Sequence, residues 1–216
     1  MPISTLLIDL DDTVYPFSSG LWGVIKKRID LYMLERMHLP ADDIPQLRTS
    51  LFTQYGTTMR GLQTLYHVDE RDYLAFVHDV PVGNYLTPDP ALRAMLKALP
   101  QRKVIFTNAD RGHAARVLHA LDLEGVFEQV IDILDISPYC KPMQEAFDIV
   151  LKRLKIDDPR SVLMADDGVR NLAAAHNQGM ATVRVGSEEP GADYDAAIMS
   201  LVKLPAVLDC LEKSEV

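Results

Sequence analysis

A chain of 216 residues, 48% hydrophobic and 25% charged, is long enough to bury a core and has an ordinary soluble composition. Its formal net charge of −9 argues against a nucleic-acid polymer or an anionic membrane surface as the main partner. No stretch reaches membrane-spanning length, Met1-Pro2-Ile3-Ser4-Thr5 lacks a basic start, and the two cysteines are Cys140 and Cys210, so a cytoplasmic setting is expected.

The first apolar run, Leu6-Leu7-Ile8, ends in Asp9-Leu10-Asp11-Asp12-Thr13 and reads as a buried strand with a charged end. Residues two apart share a face, so Asp9 and Asp11 converge where the strand ends. Like charges held together need a return, which a divalent cation or proton-transfer chemistry supplies. A turn that caps a following helix fits the same residues.

Next comes an all-helical stretch. Leu21, Ile25, Ile29, Tyr32 and Met33 recur at helical spacing behind Ser18 or Ser19 as N-cap, and His38-Leu39-Pro40 stops that helix. Further helical pattern covers residues 44–55, 59–66 and 69–78, and Trp22, Tyr32, Met33 and Met37 read as packing residues. From Leu86 onward, strand patterns at 103–107, 129–133, 161–165 and 181–185 alternate with helical ones at 113–121, 144–154 and 171–178. The expected fold is α/β, a Rossmann-like parallel sheet with helices on both faces. Its core takes residues 1–15 and 86–216, and a small helical cap, residues 16–85, is inserted after the first strand, over the strand ends where ligands bind.

Three more strand ends carry chemistry. Thr107-Asn108 offers a hydroxyl and an amide to an anion, or an ordinary N-cap. Lys141 precedes Pro142, which is expected to open the helix after it, so that an anion shares the lysine and the helix N-terminus, or the lysine is a solvated surface residue. Asp166-Asp167 is a second carboxylate pair. Carboxylates suited to Mg²⁺ and donors suited to phosphate oxygens are complementary, which favours phosphoryl transfer, with Asp9 able to attack phosphorus and Asp11 to carry protons.

These residues resemble, in order, the four motifs of the haloacid dehalogenase (HAD) superfamily: Asp9-Leu10-Asp11-Asp12-Thr13, Thr107-Asn108, Lys141-Pro142 and Asp166-Asp167-Gly168-Val169-Arg170-Asn171. Dehalogenases of this group lack the second aspartate of the first motif, so Asp11 points to a phosphatase. The helical insertion resembles a C1-type cap. Asp11-Asp12-Thr13-Val14-Tyr15-Pro16, Tyr55-Gly56-Thr57-Thr58-Met59-Arg60-Gly61-Leu62, Val77-His78-Asp79 and Phe106-Thr107-Asn108-Ala109 are similar to the pyrimidine 5′-nucleotidase branch.

The resemblance implies that Asp9 is the nucleophile, Asp11 the acid and base, and Thr107 and Lys141 the holders of the phosphoryl oxygens. Mg²⁺ would lie on Asp9, the Asp11 carbonyl and Asp167, with Asp166 indirect or through water. Thr13 is a supporting residue, and Asn171 orients Lys141 or a metal-bound water. From the residues themselves, Asn108 and the polar cap corner of Thr57, Thr58 and Arg60 are the candidate substrate contacts, and a surface loop with a solvated arginine fits that corner equally. Asp12 is expected to face away and cap the turn. The implied substrate is a small phosphorylated metabolite, a nucleotide first, with a sugar phosphate, phosphoglycolate or a phospho-accepting regulatory role as alternatives. A monomer and a homodimer fit equally.

Overall fold

The computed structural model describes residues 2–214. In chain order the elements are β1 (Thr5–Ile8), α1 (Leu21–Glu35), α2 (Ile44–Tyr55), α3 (Thr58–Tyr66), α4 (Glu70–Val77), α5 (Pro90–Ala98), β2 (Arg102–Phe106), α6 (Arg111–Ala120), β3 (Gln129–Ile131), α7 (Gln144–Leu154), β4 (Val162–Asp166), α8 (Val169–Asn177), β5 (Ala181–Val185), β6 (Ala196–Ile198) and α9 (Leu204–Ser214).

The sheet has the order β3-β2-β1-β4-β5-β6, and every pair is parallel. Strand alternation divides its apolar residues between the two faces. Leu6, Ile8, Ile105, Leu163 and Ala165 pack with the cap helices and α6 in one cluster. Leu7, Val104, Phe106, Val162 and Met164 pack on the other face against Phe147 and Val150 of α7 and Leu172 of α8.

Between β1 and β2, α1 packs on α2 and α4, and α2 packs on α3. Leu21, Ile25, Ile29, Tyr32 and Met33 are the buried stripe of α1, each worth about 1.5–3 kcal/mol if fully removed from water. Tyr32 meets Tyr73 and Phe76 of α4 edge-on, with ring centroids 5.0 and 5.4 Å apart. The insertion is tied to the sheet layer by Arg170, which donates to the carbonyls of Phe52 (3.2 Å) and Thr53 (3.1 Å). It is tied also by Gly56, where a Cβ would lie 2.8 Å from Cys140 Sγ and 3.1 Å from the Lys141 carbonyl oxygen.

Three local expectations change. A sixth strand, β6, follows a loop; its Ala196-Ala197-Ile198 is too short to announce itself, and pairing with β5 defines it. Gly20, in the left-handed region at φ 80°, takes the N-cap of α1, while the Ser19 hydroxyl accepts from the Leu21 N–H at 3.3 Å. Pro142 does not open α7, whose N-cap is Met143; Lys141 sits on the preceding loop rather than in the first turn.

Candidate active site

β1 lies between β2 and β4, so the chain's crossovers leave to either side of it and a crevice forms beyond its C-terminal end. The main-chain ladder runs one residue past β1, with the Asp9 N–H donating to the Ala165 carbonyl at 2.9 Å. A turn follows, in which the Thr13 and Val14 N–H groups return to the Leu10 carbonyl. The Thr13 hydroxyl donates to Asp9 Oδ2 (3.3 Å) and accepts from the Asp167 N–H (3.0 Å), pinning the first acidic segment to the last.

Lys141 is the centre of charge. Its side chain is buried, and Nζ donates to Asp9 Oδ1 at 2.6 Å, Asp166 Oδ2 at 2.7 Å and the Phe106 carbonyl at 2.8 Å. Burial alone would drive the ammonium toward neutrality, but Asp166 and Asp9 outweigh it and hold the lysine above its ordinary range. Burial pushes the Asp9 carboxyl well up, and Asp166 and Asp167 add to that against the pull of Lys141.

Asp166 is fully buried and accepts from Lys141, from the Gly168 N–H at 2.8 Å and from Asn171 Nδ2 at 3.0 and 3.1 Å. Asn171 therefore orients Asp166 and not Lys141. Asp167 faces the cavity, and desolvation of its carboxyl by the surrounding protein, followed by the nearby Asp166 charge, pushes its pKa up to about 6. Asp9, Asp166 and Asp167 each place an oxygen within 4.8 Å of the others. One lysine cannot balance three carboxylates. The hard oxygen donors and their excess negative charge fit a divalent cation such as Mg²⁺, which Asp9 and Asp167 would hold with Asp166 within reach.

Asn108 lines the crevice, and its side chain also ties the lysine loop in place. Its amide bonds the Lys141 main chain twice, accepting from the N–H at 2.9 Å and donating to the carbonyl at 3.0 Å. The buried Thr107 hydroxyl lines the crevice and accepts from the Ala109 N–H at 3.0 Å.

A cavity of about 360 Å³ runs from Asp9, Asp11, Thr107, Lys141 and Asp167 up into the inserted helices. Its upper wall is Trp22, Ile25 and Ile29 of α1, Phe52 of α2 and Tyr73 of α4, with Lys26 and Arg48 as cations. Trp22, read from sequence as simply packed, is a wall of this cavity.

Thr57 and Thr58 also line it, but their hydroxyls have protein partners: Thr57 accepts from the Arg60 N–H at 3.1 Å, and Thr58 reaches the Arg48 carbonyl at 3.4 Å. Arg60 corrects its expected place. It is 2% exposed and no part of the cavity wall. Its guanidinium is spent on the Ile133 and Tyr139 carbonyls (both 2.9 Å), Gln63 (2.8 Å) and Glu70 (2.7 Å), bracing α3 against the loop before Lys141. Asp12 is a second correction. It adopts φ 58°, lines the cavity, and leaves Oδ1 buried without a partner among the described residues, so it caps nothing.

Asp11 stands apart from the lysine. Its Oδ1 accepts from the Tyr15 hydroxyl at 2.5 Å and from His113 Nε2 at 2.8 Å. Burial pushes the Asp11 carboxyl up, but His113 and then Tyr15 outweigh it and hold the carboxyl below its ordinary value. His113 passed unnoticed in the sequence, being one histidine on an amphipathic helix.

Residues 3–179 match the family described as haloacid dehalogenase-like hydrolase. The chain belongs to that family. Phosphate metabolism protein 8 of Saccharomyces cerevisiae is 24% identical over 189 residues, 81% of this chain and 59% of that protein, so the HAD-like chain spans about three-fifths of that relative. Among solved structures, the HAD-hydrolase YfnB from Bacillus subtilis, bound to magnesium, is similar with a TM-score of 0.66 and 18% identity, over 97% of this chain and 100% of that one. The L-2-haloacid dehalogenase of Xanthobacter autotrophicus, with chloropropionic acid covalently bound, has a TM-score of 0.60 and 16% identity over 96% and 98%. At these identities the likeness is one of fold. Among the described residues no helix is long and apolar enough to cross a membrane.

Proposed function

We propose that this HAD-like hydrolase is a Mg²⁺-dependent phosphomonoesterase acting on nucleoside 5′-monophosphates, pyrimidine nucleotides first. The observation that carries this is the charge balance beyond β1: Asp9, Asp166 and Asp167 converge within 4.8 Å around one lysine. Such a site is short of positive charge until a dication fills it, and a dication with a lysine is what a phosphate dianion requires. Hydrolysis of a carbon–halogen bond has no use for that surplus of carboxylates.

A carboxylate oxygen of Asp9 attacks phosphorus as the ester P–O bond breaks, and Asp11 gives a proton to the departing alkoxide. Water then attacks the phosphoaspartyl group while Asp11 takes its proton, which releases phosphate and restores Asp9. Bound Mg²⁺ supplies neutralisation of the phosphoryl oxygens. Lys141 stays charged next to Asp9, and the Thr107 hydroxyl lies where a phosphoryl oxygen can meet it. Asp11 is ionised in the free protein, and the approach of a phosphate dianion raises its proton affinity, so that the carboxylate takes up the proton it will donate as substrate arrives.

The upper cavity supports a nucleotide over a sugar phosphate. Trp22, Phe52 and Tyr73 give a wall suited to a flat, apolar-faced ring, which a sugar lacks. Phosphate release from UMP, CMP, glucose 6-phosphate and phosphoglycolate tests the choice; a clear preference for either of the last two would end the nucleotide reading.

A further inference from the structure

Asp11 is held by an array that reaches the far side of the insertion. Of its two carboxylate oxygens, only Oδ1 is bonded by protein among the described residues, and it is bonded twice, by Tyr15 and His113. Both partners come from outside the acidic cluster. His113 is fully buried on α6, and its other ring nitrogen, Nδ1, has no partner among the described residues. A buried N–H without an acceptor is costlier than a bare lone pair next to an aromatic face, so the geometry places the ring hydrogen on Nε2, toward Asp11.

The His113 ring is itself gripped. His78, on the strap returning from α4, stacks on it with centroids 4.4 Å apart and an interplanar angle of 19°. His78 Nδ1 is hydrogen-bonded to Asp110, whose other oxygen accepts from the His113 main-chain N–H at 3.0 Å. Arg116 holds the His78 carbonyl at 2.7 Å.

We infer that Tyr15 and His113 are positioning residues that occupy Asp11 Oδ1, so that Oδ2 is the oxygen that gives its proton to the leaving group. Two donors on Oδ1 leave it no acceptor to point a proton at. A proton on Asp11 therefore resides on Oδ2, and breaking the ester bond moves that proton to the alkoxide oxygen, leaving the carboxylate that Tyr15 and His113 stabilise. His78 and Asp110 keep the His113 ring from rotating away. The inference rests on the phosphomonoesterase reading and adds which side chains aim the acid.

The test compares kcat/KM for an alkyl ester, whose leaving group must be protonated, with para-nitrophenyl phosphate, whose phenolate departs without help. UMP serves as the alkyl ester, or β-glycerophosphate if UMP is poorly turned over. In Tyr15→Phe and His113→Leu, kcat/KM for the alkyl ester is expected to fall roughly 10²-fold, the usual worth of a positioned general acid. That for para-nitrophenyl phosphate should fall by under about tenfold. His113→Gln, which retains a donor at the same reach, should recover part of the loss. Tyr15→Phe removes one oxygen and carries the test if the leucine variant fails to fold. Equal losses on both esters, or none, would overturn the inference while leaving the phosphatase reading intact. A wild-type protein inactive on every ester would overturn both.

Discussion

Asn108 and Lys141, 33 residues apart, hold one another by two hydrogen bonds of 2.9 and 3.0 Å between the Asn108 amide and the Lys141 main chain. The clamp fixes where the lysine leaves its loop, and so where its ammonium meets Asp9. Asn108→Ala should therefore leave the charges in place but let Lys141 wander. A misplacement on the order of 1 Å can cost about 10²-fold in rate. Steady-state kinetics should show kcat reduced by roughly 10- to 100-fold with KM little changed; a variant altered only in KM would mean that Asn108 contacts substrate.

Asp12 is a cost that the fold carries. Burial, then Asp167 and Asp11, push its carboxyl up to about 7, and Oδ1 has no partner among the described residues. The folded protein thus keeps the proton up to about pH 7, while the unfolded chain releases it near 4. Stability is lost as pH rises through that window. Asp12→Asn removes the charge and tolerates the left-handed backbone at φ 58°. In EDTA at pH 8 it should stabilise by about 1–2 kcal/mol, raising Tm by roughly 2–8 °C. Thermal melts of the two proteins at pH 4.5 and 8 check this: the difference should grow with pH.

Metal affinity should fall with acid. Asp167 is pushed up to about 6, so below that pH a proton competes for its carboxylate, and above it the site is open. Between pH 7.5 and 5 the Mg²⁺ concentration for half-maximal activity should rise roughly tenfold or more. A constant value across that range would remove Asp167 from the metal site.

The cavity wall makes its own prediction. Trp22 is the chain's single tryptophan, so nucleotide binding should change its fluorescence directly. Trp22→Ala should raise KM for a nucleotide by about tenfold, a modest stacking loss, with little change in kcat. A fluorescence titration with UMP in the Asp9→Asn background isolates binding from turnover.

What the sequence reveals follows from what each residue's neighbours do. Asp9, Thr107, Lys141 and Asp166 are legible because each sits at a strand end or in a loop where its chemistry is out of place as packing. The helix Gln144–Leu154 is legible in extent, since its apolar stripe repeats without interruption, but not in its cap, which is Met143. His113 is invisible for the opposite reason: its partner Asp11 lies 102 residues away, and only the stacking of α6 beside the β1 end brings them together. Arg60 misleads because a charge in a polar corner implies solvent. The carbonyls of Ile133 and Tyr139 that bury it belong to a loop whose path no local pattern announces. Trp22 follows Leu21 at the edge of α1's buried stripe, and whether that edge meets solvent or a cavity depends on the angle at which α1 leaves β1.

The most direct test of the proposed chemistry is phosphate release from UMP by the wild-type and Asp9→Asn proteins, each with Mg²⁺ and with EDTA. The wild type should turn over only with Mg²⁺. The variant, which keeps the shape and loses the nucleophile, should be inactive in both, by a factor of at least about 10³. Full activity in Asp9→Asn, or in the wild type with EDTA, would contradict the aspartyl-phosphate mechanism and its metal site respectively.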